Sequence, residues 1–281
     1  MEIPETKYSC NVRIGNWYED LCLEEMMQKI KLVKENFCRD VELSAYSPIV
    51  NFGIPLQLLA STMKTCNNSK TLDNIQPALS ININPKLINK QQNIGDKCEL
   101  TVASSLKPCT RNSFVIESAD NYDRSNKPLL YNQDFKIRCC FAEGQPLYVY
   151  SVSKSVNLDF LINNTVDTYN YRGERNLPVG LILDKNTGPG KLIPDGYTKW
   201  KCLHVDPSKR LRTEGTPVPS NTPVLIVHSA TNRSLAVENV IISTLFGAEY
   251  AVSVQVDHNL NHRQRDNNIW ILGYGQIKEE S

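Results

Sequence analysis

The sequence lacks an excess of charge of either sign, long apolar runs and the cysteine spacing of a disulfide scaffold. Its 31 basic and 30 acidic residues leave a net charge of +1, whereas nucleic-acid binders usually carry a basic excess that neutralises phosphates. No stretch approaches the roughly 18 apolar residues of a membrane helix, and the first seven residues lack the basic and apolar regions of a secretory signal. Nine cysteines without repeated spacing indicate reduced thiols. These absences predict a cytoplasmic protein without nucleic-acid or membrane partners.

Groups that could carry catalysis are few and scattered along the chain. Of the four histidines, His258 and His262 have the spacing of a metal pair, but their Asn-rich surroundings resemble a loop without Cys at ligand spacing. His228 ends an apolar strand pattern, which is typical of a hydrogen-bonded interior histidine. The segment 186–191 resembles a phosphate-binding loop but lacks its spacer and the Ser or Thr after the lysine. We therefore predict no enzyme activity, no catalytic residue, no metal and no cofactor.

One amphipathic helix is predicted near the N-terminus, over about residues 18–37. Asn16 and Glu19 have the spacing of a capping box. Acidic residues crowd the start of the segment and lysines its end, which suits the helix dipole. Apolar residues then recur at steps of three and four along one stripe: Leu23, Met26, Ile30, Val33 and Phe37.

After Ser47-Pro48 the period of the apolar residues changes from about 3.6 to 2, which indicates strands. The predicted strands are Leu56–Ala60, Leu79–Ile83, Cys98–Ala103, Ser113–Ser118, Asp134–Cys139, Leu147–Ser151, Val179–Leu183, Trp200–Val205, Pro223–His228, Leu235–Val237, Tyr250–Val256 and Ile269–Leu272. Short strands without helix-length spacers favour an all-β fold over a parallel α/β sheet. The segments 153–178 and 209–212 are expected to be loops.

A faint internal repeat sharpens the fold prediction. Equivalent opening strands begin at Pro55, Asp134 and Thr222, and the second and third units close on strands centred on Trp200 and Trp270. Three such units predict a mainly β, β-trefoil-like barrel of about twelve short strands, and the third unit, from Val224 to Trp270, resembles the MIR type of β-trefoil unit. The predicted organisation is an N-terminal arm and amphipathic helix over residues 1–47, a β-trefoil-like domain over 48–275 and a C-terminal tail over 276–281.

Carbohydrate or small-ligand binding is the alternative function for such a fold. Lectin trefoils offer exposed aromatic side chains, whereas Trp200 and Trp270 lie within apolar strands. Core packing is therefore the expectation for both indoles.

Several segments resemble one known family along nearly the whole chain. The segment Arg13-Ile14-Gly15-Asn16-Trp17-Tyr18-Glu19-Asp20 resembles the opening "R-I-G-N-W-x-E-D" of cilia- and flagella-associated protein 161. Further similar segments follow in the same order: Arg111–Ile116, Tyr131–Phe135, Leu211–Asn221, Thr231–Ala236, Ser243–Gly247 and Asn268–Trp270. Asn132 stands where the family tends to have Gly, and asparagine tolerates the left-handed turn expected there.

The resemblance implies a structural microtubule inner protein on the luminal wall of ciliary or flagellar doublet microtubules, stabilising the axoneme for motility. The implied partners are tubulin, at the luminal face of the A-tubule, and neighbouring microtubule inner proteins. The implied location is the cytoskeleton of the cilium or flagellum axoneme. The residue types of the N-terminal segment suit an interface, and its candidate partner-binding residues are Arg13, Ile14, Asn16, Trp17, Tyr18, Glu19 and Asp20. Packing of Trp17 on the protein's own β domain stays open as an alternative.

Overall fold

A computed structural model describes most of the chain and contains both helical and strand elements. The described residues are 16–44, 46–61, 77–96, 98–104, 107–120, 122, 124–140, 146–152, 176–186, 193–255 and 266–274. Predictions for Arg13, Ile14, His258 and His262 fall outside this part of the chain, as does most of the glycine-containing segment 186–191.

The N-terminal helix, α1, spans Asn16–Phe37 and confirms the predicted helix, starting two residues earlier. Glu19 lies in its first turn and Lys34 in its last, so both charges oppose the partial charges of the helix ends. The C-terminal half of the predicted stripe packs inward. Val33 and Phe37 are completely buried in the main core, and Ile30 packs against them.

The described residues contain twelve strands that form one sheet, and all twelve predicted strands are present. Their bounds are β1 Pro55–Ala60, β2 Ala78–Asn82, β3 Glu99–Ala103, β4 Phe114–Ser118, β5 Asp134–Cys139, β6 Leu147–Ser151, β7 Leu177–Leu183, β8 Lys199–His204, β9 Pro223–His228, β10 Arg233–Thr244, β11 Gly247–Gln255 and β12 Ile269–Gly273. A short helix, α2, spans Arg210–Thr213.

Six strands close into a ring of antiparallel pairs. Going round it, β1 pairs with β4, β4 with β5, β5 with β8, β8 with β9, β9 with β12, and β12 with β1. The other six strands form three hairpins, β2–β3, β6–β7 and β10–β11. The three hairpins contact one another through one strand each: β11 pairs with β3 and with β7, and β3 pairs with β7. The chain is therefore mainly β and trefoil-like, as predicted.

The internal repeat is visible in the register of the ring. The second residue of each unit's first strand faces the aromatic residue of that unit's last strand: Leu56 faces Phe114, Phe135 faces Trp200, and Val224 faces Trp270. The two indole N–H groups make equivalent bonds. Trp200 Nε1 donates to the Val149 carbonyl at 3.0 Å, and Trp270 Nε1 donates to the Leu235 carbonyl at 2.9 Å. Both tryptophans are completely buried, which confirms their expected place in the core.

Replacing Trp270 by phenylalanine is expected to lower the free energy of unfolding by about 1–3 kcal/mol. The smaller ring still fills most of the site, as Phe114 does in the first unit, but the Leu235 carbonyl loses its buried donor. Trp270→Ala should cost more, about 3–5 kcal/mol, because it also opens a cavity. Urea unfolding of the three proteins measures both effects, and equal stabilities of Trp270→Phe and Trp270→Ala would contradict this account.

Two predictions about local structure were wrong. The tenth strand runs from Arg233 to Thr244 and not only over Leu235–Val237, because its pairing with β11 resumes at Ile241 after an irregular stretch. The basic segment expected to be a loop contains the turn of α2. The expected left-handed turn at Asn132 is confirmed, with φ of 63°.

Candidate docking surface

The N-terminal half of α1 presents large apolar side chains to solvent. Trp17 is 65% exposed and Tyr18 61%, and their rings meet edge to face at 6.0 Å. Leu21, Leu23, Met27 and Leu32 are also exposed; Leu23 and Met27 lie on the side of the helix that is buried only further along. At 100° per residue, Trp17, Leu21 and Leu32 lie within about 60° of one another on the helix surface. The helix thus carries a second apolar face, which we call the outer face of α1: Trp17, Leu21 and Leu32.

The outer face points away from the β domain. Val33 and Phe37, which are buried, lie roughly 160–200° round the helix from Trp17. Of the two alternatives that the sequence left open for Trp17, packing into the protein's own core is not what the structure shows. An exposed cluster of large apolar side chains on one helix face is typical of an interaction site.

The charges around the N-terminal part of the outer face, at Trp17 and Leu21, have one sign. Residues 16–28 contain four acidic side chains and no basic one. These are Glu19, Asp20, Glu24 and Glu25; Glu19 is exposed and Asp20 is half-buried. The surface therefore offers apolar anchors within a negative field, and it would suit a partner surface with an apolar pocket and a basic rim.

The C-terminal end of α1 is held firmly by the segment before β4. The Thr110 hydroxyl donates to the carbonyls of Asn36 and Phe37, two of the groups that a helix end leaves unpaired. The backbone then pairs Asp40 with Cys109. Since one end of the helix is fixed in this way, the outer face keeps a defined direction relative to the β domain.

A buried ion pair supports this anchor. The Arg111 guanidinium lies 2.8 Å from the Glu249 carboxylate, and both side chains are buried. Arg111 Nε also donates to the Ile81 carbonyl at 2.9 Å, and the Thr101 hydroxyl donates to Glu249 at 2.6 Å. The carboxylate and the guanidinium are thus held by several hydrogen bonds, as a buried pair requires.

Two aromatic contacts connect the ion pair to α1. The guanidinium carbon of Arg111 lies 3.9 Å from the centre of the Phe246 ring, and that ring stacks on Phe37 at 5.6 Å. Phe246 lies at the turn between β10 and β11. The last turn of the helix, the segment before β4 and the β10–β11 turn therefore meet at one point.

A groove of about 970 Å³ lies beside this meeting point. Lys34, Lys107, Gly247 and Ala248 contribute to its lining. Lys107 pairs with Asp40 at 2.7 Å at the rim. The small side chains at 247 and 248 keep this wall of the groove open.

The cysteines near the groove are poor nucleophiles. Burial raises the pKa of the Cys38 and Cys109 thiols, which line the groove. Cys98 does not line the groove, and burial raises its pKa to about 12. These thiols are therefore protonated at neutral pH. Cys139 is buried and Cys140 half-buried, as expected for neighbours in a strand pattern. Among the described residues, no group of three or more His, Cys, Asp or Glu side chains is placed to hold a metal ion.

His228 is a structural residue in the interior, as its place at the end of an apolar strand predicted. It is completely buried and contacts Thr231 Oγ1 through Nδ1 and the Tyr197 carbonyl through Nε2, both at 2.9 Å. The carbonyl can only accept, so Nε2 carries the proton and Nδ1 accepts from Thr231. Burial lowers the pKa of the imidazole, outweighing the bond to Tyr197, which raises it.

We expect His228 to make stability depend on pH on the acid side of neutrality. Its folded-state pKa lies below the ordinary value of about 6.5, so the unfolded chain binds the proton more readily. The contribution is complete above about 6.5 and is lost as the pH falls through the folded-state pKa. His228→Gln should reduce the fall in unfolding free energy between pH 7 and pH 5, measured by urea titration. An unchanged pH slope would contradict this assignment.

Sequence patterns singled out some of these residues but not their arrangement. Trp17, Tyr18, Glu19 and Asp20 lie on the first turns of α1; Arg13, Ile14 and the side chain of Asn16 lie outside the described structure. Leu21 and Leu32 were missed because they are off the predicted stripe. Arg111 and Phe246 lie in segments that resemble the family, and this resemblance was the only sign of their importance.

Neither described helix is long and apolar enough to cross a membrane.

Comparisons with known proteins agree with the family resemblance. The model of the cilia- and flagella-associated protein 161-like domain matches residues 29–275. Cilia- and flagella-associated protein 161 of Danio rerio is 27% identical over 297 aligned residues, covering 98% of this chain and 90% of that protein.

Two solved structures are similar to parts of this chain. One is a Caenorhabditis elegans protein with unknown function, with a TM-score of 0.50 and 8% identity over 82% of this chain and 98% of that one. The other is the SDF2-like protein from Arabidopsis thaliana, with a TM-score of 0.49 and 11% identity over 80% of this chain and 94% of that one. At 8% identity, the likeness to the Caenorhabditis elegans protein concerns the fold alone. Since the family model covers most of the sequence, the chain belongs to the cilia- and flagella-associated protein 161 family.

Proposed function

We propose that this protein is a structural microtubule inner protein. It binds the luminal wall of doublet microtubules in cilia or flagella and stabilises the axoneme. Membership of a cilia- and flagella-associated family supports the location. The observation that carries the docking is the outer face of α1, where Trp17 is 65% exposed at the N-terminal end of a helix that is buried against the β domain only at Val33 and Phe37.

The proposed partners are tubulin at the luminal face of the A-tubule and neighbouring microtubule inner proteins. Trp17, Tyr18 and Leu21 supply apolar anchors of the kind that dominate interface energies. The four carboxylates of residues 16–28 add a requirement for basic groups on the partner. The near-zero net charge of the whole chain gives little long-range steering, which suits a component held by shape and by many modest contacts.

The burial of Trp200 and Trp270 argues against the alternative of a carbohydrate-binding module. Two of the three tryptophans are completely buried, and their N–H groups are bonded to backbone carbonyls. Neither indole is available to stack on a sugar ring.

Fractionation of axonemes tests the proposal. The tagged full-length chain is expressed in a flagellated cell, membranes are removed with detergent, and the axonemes are extracted with high salt. We expect the protein to stay with the doublets, because a component enclosed in the lumen resists extraction. Complete release into the detergent-soluble fraction would contradict the proposed function.

A further inference from the structure

The two strands of the β10–β11 hairpin are longer than the other strands of the sheet. β10 has 12 residues and β11 has 9, whereas the other strands have five to seven. β9 pairs with β10 only at Arg233 and Ser234. The register with β11 shifts between Val237 and Ile241, and such a bulge bends a strand and changes the direction of its remaining residues. The second half of β10 therefore extends beyond its neighbour in the ring.

The outer edge of this second half has no strand beside it in the part of the chain that the structure describes. On the inner side, Ile241–Thr244 pair with Gly247–Tyr250. We call the segment Asn239–Thr244 the free edge of β10. Because a strand directs alternate backbone N–H and C=O groups to its two sides, the free edge offers hydrogen-bonding groups to another strand.

The free edge lacks the usual protections against pairing with another chain. The segment reads Asn-Val-Ile-Ile-Ser-Thr and contains no charged residue and no proline, both of which commonly guard exposed edges. Three consecutive residues are β-branched and apolar, and Ile241 is 64% exposed. β-branched apolar residues favour a paired, partly buried strand over a strand that is exposed to water.

The pattern of the free edge is self-complementary. If two copies meet antiparallel with Ile241 opposite its own counterpart, Val240 faces Ile242 and Asn239 faces Ser243. Apolar side chains then face apolar ones and polar side chains face polar ones. No like charges oppose each other, so both the apolar and the polar cross-strand pairs are favourable.

We propose that the free edge of β10 pairs with the same edge of a second copy of this chain, in an antiparallel twofold contact centred on Ile241. The contact is isologous, since one surface patch meets itself. Five paired residues span about 17 Å, and such a contact buries less than the roughly 1,200 Å² of a stable interface. The dimer is accordingly weak, and its population rises with concentration. This inference does not depend on docking to doublets.

Sedimentation equilibrium of the purified full-length chain tests the contact. We expect the wild type to pass from monomer to dimer as concentration rises and Ile241→Lys to weaken the association at least tenfold, because two lysines would oppose each other at the axis. Leu211→Lys is the matched control. Leu211 is 85% exposed on α2, so this variant adds the same charge elsewhere and should dimerise like the wild type. A wild type that stays monomeric up to its solubility limit, or equal weakening by both variants, would overturn the proposal.

Cysteine cross-linking tests the register. Directly opposed residues in an antiparallel pair have Cβ atoms about 4.5–5.5 Å apart, so a small backbone shift brings two cysteines to the roughly 3.5–4.5 Å of a disulfide. Under mild oxidation, Ile241→Cys should cross-link to itself. Asn239→Cys and Ser243→Cys should cross-link when mixed but not when alone. The chain also has nine native cysteines. Peptide mass mapping therefore identifies which disulfide bonds involve an introduced cysteine. Cross-linking of Asn239→Cys to itself would refute the register centred on Ile241.

Discussion

Replacing Arg111 by alanine is expected to lower the free energy of unfolding by about 3–5 kcal/mol. The substitution leaves the Glu249 carboxylate buried without its cation, and an uncompensated buried charge is strongly destabilising. It also removes the donor to the Ile81 carbonyl and the cation over the Phe246 ring. Urea unfolding with an unchanged m-value would show that the loss is one of stability.

The double variant Arg111→Met with Glu249→Leu distinguishes the destabilisation caused by breaking the ion pair from the net contribution of the intact pair to the free energy of unfolding. Replacing both charges by apolar groups of similar volume should cost much less than Arg111→Ala alone. Glu249→Leu alone should be intermediate, since an arginine can reach solvent more easily along its long stem. If Arg111→Ala lowered the free energy of unfolding by less than about 1 kcal/mol, the loss would be that of an exposed ion pair. That result would contradict the role of this contact in fixing α1.

Combined substitution of Trp17 and Leu21 by alanine is expected to remove most axonemal retention. Truncating a hot-spot aromatic residue costs at least about 2 kcal/mol, which is roughly thirty-fold in the dissociation constant. Both side chains are exposed, so the fold should be unaffected, which circular dichroism and urea unfolding would verify. Salt extraction of axonemes measures the retained fraction.

Tyr122→Ala is the matched control for the outer face of α1. Tyr122 is 76% exposed and lies in the loop between β4 and β5, so this variant also removes a large exposed aromatic side chain. We expect it to be retained like the wild type. If the Trp17 and Leu21 variant is retained equally well, the interface lies elsewhere, on the loops of the trefoil-like domain.

The sequence predicted the fold well because its determinants are local. Alternation within each short strand, and turn residues between strands, placed all twelve strands. The repeat of opening and closing strands indicated how they join, since Trp200 and Trp270 mark equivalent positions that the register confirms.

The arrangement of the docking surface was harder to predict. The period of α1 showed which face is apolar, but burial of Val33 and exposure of Trp17 depend on where the β domain meets the helix. The pairing of Arg111 with Glu249 joins residues 138 positions apart, and no local pattern encodes such a contact. The sequence did not predict the extension of β10, because its second half follows an irregular stretch and its apolar and polar residues alternate only weakly.

The central claim is that the protein docks inside the doublet, and a difference map tests it most directly. Cryo-electron tomography would compare doublets from wild-type cells with doublets from cells lacking the protein, and rescue with the tagged full-length chain would serve as control. We expect one density of matching size to disappear from the luminal wall of the A-tubule and to return on rescue. Loss of density only on the outer surface, or identical luminal walls in both maps, would contradict it.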